Sequence, residues 1–142
     1  MASKTLPPDF HWVLARFKCS VSEIFQQLDV GIRDDVEKRQ TLADTNKEDV
    51  RFSVSANISG SRFSVSRLDN VLYQLHMQYV YFERHRNEIQ VLDNKHEIVL
   101  RATLTLNNEG ECKLKVGDEE LDQWQFRRKA LEELFFSAPP VS

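Results

Sequence analysis

Arg62, His76, Gln78, Arg101 and Lys113 are the residues whose types and spacing point most directly to recognition chemistry. Each stands in the polar phase of a segment where apolar and polar residues alternate, as do Ser53, Ser55, Ser64, Thr103 and Lys115. A strand alternates its side chains between two faces, so this phase predicts one flat surface of cations and hydrogen-bonding groups. Almost no acid falls in it. The chain carries a net charge of -3, so its acids must gather on helices and loops. A flat, mildly basic face suits a protein partner or a nucleic-acid backbone. Sheet-type binders of single-stranded RNA also need aromatic rings in that phase, and none is assigned to it, which favours protein. The plainer alternative is that Ser and Thr keep an exposed sheet face hydrated.

The four histidines call for separate treatment. His76 projects from the polar phase between Gln74 and Gln78, as a recognition group or a solvated one. His85 lies between Arg84 and Arg86 at a tip, where positive neighbours disfavour a metal and suit an anion. His11 and His96 open their segments and read as surface residues. No catalytic residue is assigned. The four glycines leave no phosphate-cradling loop, and no G-x-S-x-G, H-E-x-x-H or C-x-x-C occurs. No motif calls for a metal or a cofactor. A catalytic site would require two or more of His76, Tyr79, Arg101 and a carboxylate to converge within hydrogen-bond reach.

The elements that must position these residues begin with His96–Leu106, HEIVLRATLTL. Its apolar phase, Ile98, Leu100, Ala102, Leu104 and Leu106, predicts a strand with one face on a core. Similar alternation marks Phe10–Cys19, a hairpin of Phe52–Ser59 and Phe63–Ser66 about Gly60, the long Val71–Glu83, the return Glu88–Leu92, and Cys112–Val116. In Val71–Glu83 the phase of Tyr73, Leu75, Met77 and Tyr79 is assigned to the core, with Asp69-Asn70 as the turn before it. At Val80-Tyr81-Phe82 both phases are apolar, which a bulge or an edge passing under a helix would explain.

Two helices complete the count. Ser20–Leu42 opens with the capping-box pattern Ser20-Val21-Ser22-Glu23 and carries the stripe Val21, Ile24, Phe25, Leu28, Ile32 and Val36, with Gly31 as a possible kink. Residues 123–136 form the second, with Trp124, Leu131 and Phe135 inward and Arg127 pairing at the core's rim. The fold class is therefore α+β: a single antiparallel sheet of about six strands with an N-terminal and a C-terminal helix on its apolar face. One globular domain over 1–142, with loose termini at 1–9 and 137–142, accommodates all of it.

This order of elements is similar in topology to helix-grip proteins of the START type, and the similarity implies a cavity for a small apolar ligand, or an enzyme built on one. Phe52, Phe63, Tyr73, Met77, Tyr79, Leu100 and Trp124 would line it; the alternative is that they are plain core. A third reading is a homodimer, through an apolar patch of Val80, Tyr81, Phe82, Phe135 and Phe136. Hydrophobic residues make up 41% and charged residues 29%, the balance of a globular chain and not a disordered one. No run is long enough for a membrane span, and the N-terminus lacks the apolar stretch of a secretory signal. The Asn57-Ile58-Ser59 sequon therefore carries no weight. Cys19 and Cys112 fall in core phases and read as reduced thiols, which points to a cytoplasmic protein. The preferred function is a non-catalytic binding or regulatory module, such as an adaptor, inhibitor or immunity-type protein, acting through the polar sheet face.

Overall fold

The computed structural model describes residues 6–139. The expected loose ends before Leu6 and from Pro140 onward lie outside them. Two helices, α1 (Trp12–Lys18) and α2 (Val21–Thr45), precede seven strands, and α3 (Gln123–Phe136) closes the chain. The strands are β1 (Val50–Ala56), β2 (Arg62–Val71), β3 (Gln74–Arg84), β4 (Ile89–Leu92), β5 (Ile98–Leu106), β6 (Cys112–Val116) and β7 (Glu119–Leu121). They form one antiparallel meander in chain order. The α+β class holds, with seven strands where about six were expected. The seventh is the three-residue β7, in the stretch Glu119–Asp122 that reads from sequence either as a short strand or as the entry of the last helix.

The core lies between the sheet and the pair α2–α3. From α2 it takes Ile24, Phe25, Leu28, Ile32 and Val36, the stripe that the spacing predicted. Ser20 caps that helix by accepting a hydrogen bond from the Glu23 amide at 3.3 Å. Phe63 stacks on Phe82 across β2–β3 at 4.9 Å and meets Phe25 of α2 at 5.0 Å. Gly31 does not break α2, which runs on to Thr45. A Cβ there would lie 2.7 Å from Arg127, whose guanidinium crosses the glycine to reach Asp35 at 2.7 Å. The expected rim pairing of Arg127 is thereby found. From α3 the core takes Phe126, Leu131, Leu134 and Phe135; Trp124, expected inward, is about half exposed.

Four further expectations need correction. Phe10–Cys19 is not a strand: Trp12–Lys18 is helical, with Trp12, Val13, Leu14 and Phe17 all exposed. Apolar residues in both phases of that segment were the sign that period two did not govern it. Cys19 and Cys112 are not free thiols; they form a disulfide across 93 residues, joining the end of α1 to β6. Closing so long a loop stabilises by roughly 2–4 kcal/mol. It also removes the reduced-thiol ground for a cytoplasmic setting, since disulfides persist in oxidising compartments.

The third correction concerns β3. The turn falls at Leu72-Tyr73, not at Asp69-Asn70, and the core phase is Val80 and Phe82 with Gln78 and His76. Leu75, Met77, Tyr79 and Tyr81 point to the face that no helix covers. Pairing settles this, because Phe63–Phe82 and Val65–Val80 lock the register from the far end, and a strand cannot change phase without a bulge. The fourth concerns that bulge, which lies in β4–β5 between Val91 and Leu92 instead of at Val80–Phe82. It turns Ile98 out of the core phase, so that Ile98 pairs with Leu92 while Leu100 pairs with Val91.

Candidate functional site

The sheet face opposite the helices is built from rows read across the strands. Arg62, Glu83, Gln90 and Arg101 make one row, and Ser55, Ser64, Tyr81 and Leu92 the next. Ser53, Ser66 and Tyr79 follow, with the two serine hydroxyls 2.7 Å apart, and then Arg51, Leu68 and Met77. Down its centre, on β3, runs an apolar and aromatic stripe: Leu75, Met77, Tyr79 and Tyr81. Tyr79 stacks on Tyr81 at 5.7 Å, the Arg62 guanidinium covers the Tyr81 ring at 4.3 Å, and the His96 ring lies 4.4 Å from it. His96 reaches this position from a turn in which its own φ is +64°. Its Nδ1 is 3.4 Å from Arg62.

Of the five residues assigned to a polar face, three lie on this one. Arg62 and Arg101 are partly exposed here, each beside an acid: Glu83 at 3.6 Å and Glu88 at 3.8 Å. Lys113 shares the phase but is mostly covered, held between Asp122 and Glu111. The Asp122 carboxylate raises the Lys113 pKa above its ordinary value through a hydrogen bond. Asp122 is also the N-cap of α3, so Lys113 fastens a helix start. His76 and Gln78 belong to the opposite phase. His76 pairs with Asp69 on the helix side, and its Nε2 is buried with no hydrogen-bond partner among the described residues. Two expectations fall together: the face is not short of acid, and it is not short of aromatic rings. His85, expected near anions, contacts Glu83 at 3.1 Å.

The seven residues drawn around a cavity do not enclose one. Phe52 and Phe63 are core, Tyr73 is fully exposed at the hairpin tip, Met77 and Tyr79 face the open side, and Trp124 lies outward on α3. Of the seven, Tyr79 and Leu100 border a common hollow, an open groove of ≈ 660 Å³ between β3–β5 and α3. Val80, Leu92, Leu134 and Ala130 supply its apolar walls, and Lys129, Glu133 and Asp93 its charged ones. The patch drawn for a homodimer is also divided: Phe82 and Phe135 are buried, while Tyr81 and Phe136 are on different surfaces. His76 points to the helix side while Tyr79 and Arg101 point to the open face, so these three do not converge. Among the described residues no three of His, Cys, Asp or Glu gather as metal ligands, and no helix is long and apolar enough to cross a membrane.

The backbone edges of the sheet are treated unequally. On β1 the Gln40 side chain acts as a substitute strand: its Oε1 accepts from the Phe52 amide at 2.7 Å and its Nε2 donates to the Val50 carbonyl at 3.2 Å. The β7 edge is three residues long and carries Glu119 and Glu120. On β3, pairing with β4 begins only at Tyr81, and the Tyr79 amide donates to Asn94 Oδ1 at 3.0 Å. Beyond that point, Leu75 and Met77 pair with no strand on that side among the described residues. Sequence patterning missed this gap because it depends on where β4 ends.

The chain matches no protein-family model, no curated protein and no solved structure.

Proposed function

We propose that the protein is a binding module that recognises a protein partner through the helix-free face of its sheet, centred on Tyr79, Tyr81, His96 and Arg62. The observation that carries the reading is the stacked Tyr79–Tyr81 pair with Arg62 over it, set among Ser53, Ser64, Ser66 and Gln90. Tyr and Arg in a preformed cluster, surrounded by small polar groups, have the composition of an interface centre with its rim. The cluster is already ordered, so less entropy is lost when it is covered. A nucleic acid is less well supported. Tyr81 is flanked by Tyr79 and covered by Arg62, which leaves little free ring face for a base, and Glu83 and Glu88 offset the cations. The small-ligand reading, or an enzyme built on it, keeps only the open groove beside α3 as support.

The test is quantitative affinity capture with the wild type, with Arg62→Glu/Tyr81→Ala, and with a control, Val30→Ser, on the exposed side of α2. The expected outcome is one protein recovered by the wild type and the control and lost with the double variant, at an unchanged melting temperature. Identical recovery by all three defeats the reading.

A further inference from the structure

Among the described residues, the edge of β3 beyond Tyr79 is left without a partner strand. In an antiparallel ladder alternate residues bond to alternate sides. The Tyr79 amide points toward β4, so the amides and carbonyls of Leu75 and Met77 point the same way, into open space. Exposed edges are normally blunted by charge, proline or a covering group. The outer edges of β1 and β7 follow that rule, through Gln40 and through Glu119 and Glu120. Gln74–Val80, QLHMQYV, has no charged residue and no proline. Beside it stand Leu75 at 69% and Met77 at 44% exposure.

The hairpin tip is as unusual as the edge. Leu72 and Tyr73 make the two-residue turn with φ of +51° and +64°, a conformation that turns of this kind ordinarily give to Asn and Gly. They are 76% and 100% exposed. Two large apolar side chains in a strained backbone, held in water, lack any role inside this chain.

We infer that β3 pairs antiparallel with β3 of a second copy about a two-fold axis through His76, joining two sheets into one. Centred there, Leu75 faces Met77 of the second copy and Met77 faces its Leu75, so every open edge group of those residues is bonded. The ladder ends there, because Asn94 Oδ1 already takes the Tyr79 amide, and the Leu72-Tyr73 tip of each chain projects toward the Asn94 end of the other. The groove walled by Val80, Asn94, Leu100 and Leu134 opens at that point. A two-fold contact requires a surface complementary to itself. Here each copy offers both the protruding tip and the hollow that takes it. The lack of charge in Gln74–Val80 has the same meaning, because a symmetric pairing would set like charges side by side. This inference does not rest on the partner surface at Tyr81 and Arg62, of which only the Tyr79 end adjoins the second copy.

Sedimentation of the intact protein over a micromolar concentration range tests it. The wild type is expected to dimerise, and Met77→Pro to weaken the dimer at least about tenfold. Proline there removes only an amide facing away from β2, so the β2–β3 ladder stays bonded. Should Met77→Pro lose its circular dichroism, Leu75→Lys replaces it, placing two like charges beside the axis with no change to the backbone. The register has its own readout. His76→Cys is expected to cross-link two chains on oxidation, since facing residues of a non-hydrogen-bonded pair have Cα atoms about 4.5 Å apart. A monomeric wild type overturns the inference and gives the edge to a different strand. A dimer that survives the edge substitution, or that fails to cross-link at residue 76, overturns it as well.

Discussion

Two pairs of arginines show how differently this chain uses the same side chain. Arg39 and Arg67 are buried at the C-terminal end of α3. Arg67 donates to the carbonyls of Leu134 and Ser137 at 2.8 and 2.9 Å and makes a two-point contact with Asp69, while Arg39 donates to the Phe135 carbonyl at 2.8 Å and to both oxygens of Glu48. Both guanidiniums lie over the Phe52 ring. The last turn of α3 has no basic residue of its own, so a strand and another helix supply the positive charge that its dipole and open carbonyls require. Arg62 and Arg101 stand on the open face with water at hand and acids at 3.6 and 3.8 Å. One pair completes the fold and the other stands at the surface. The difference comes from position alone.

Arg67→Ala should show the largest effect. It leaves Asp69, 1% exposed, without its counter-ion and strips two carbonyls of a donor. Breaking such a buried pair costs about 3–5 kcal/mol. Urea denaturation measures the loss, and Arg67→Met/Asp69→Leu should recover part of it, because no charge is then left buried alone. A loss no larger than at Arg62 would erase the distinction between the two pairs.

Arg39→Met should cost less, about 1.5–3 kcal/mol, as expected for lost hydrogen bonds involving a charged group. Glu48 is on the solvent side and remains hydrated. The variant should also change the acid limb of stability. The Arg39 hydrogen bond holds the Glu48 carboxyl below its ordinary pKa. A depressed carboxylate contributes stability that is present above its unfolded pKa and lost as pH falls through the folded one. The wild type should therefore lose stability more steeply than Arg39→Met as pH drops through and below the ordinary carboxylate range. Parallel pH profiles for the two proteins would exclude the Glu48 linkage.

How much of this could be read from the chain differs by level. Periodicity exposed α2, α3 and most strands, because Ile24, Leu28 and Ile32, or Phe63 and Val65, repeat at spacings that only one element type satisfies. It failed where a polar residue takes an inward position. Arg39 continues the stripe Ile32, Val36, Arg39, Ala43, and Arg67 and Asp69 share a phase with Val65, so the signal was there. A charge in an apolar stripe normally means a turn or a rim, and Asp69-Asn70 joins two residue types that turns favour. The same assumption reversed β3, since a phase containing Leu75, Met77 and Tyr79 looks like core unless the strand's far end is anchored first. Facts about edges and partners across space have no local pattern. The Cys19–Cys112 bond, the early end of β4 and the Gln40 substitute strand depend on residues far apart in sequence.

Lys113→Met falls between the two arginine classes and so tests whether position sets the scale. Its ammonium pairs with the Asp122 cap and is mostly covered, but water reaches Asp122. A partly exposed pair of this kind contributes up to about 1 kcal/mol. Because the Lys113 pKa is raised, that contribution should be complete below the ordinary lysine pKa and should fade as pH rises through the higher folded value. Charge reversal here should lower the melting temperature, which disqualifies Lys113 as a clean probe of binding.

Arg62→Glu/Arg101→Glu should have the smallest effect on stability, within about 1 kcal/mol, since exposed pairs contribute little. The Arg62 side chain nevertheless organises the face: it covers Tyr81 and touches His96, and reversal at this position would set a second carboxylate against Glu83. The expected result is an unchanged urea midpoint with a changed environment for Tyr79 and Tyr81, read from their aromatic proton shifts. That combination would mark the open face as a place where arginine shapes a surface and leaves the core untouched. A fall in stability comparable to Arg67→Ala would mean that the face is a second structural cluster, and the proposal of a partner there would lose its footing.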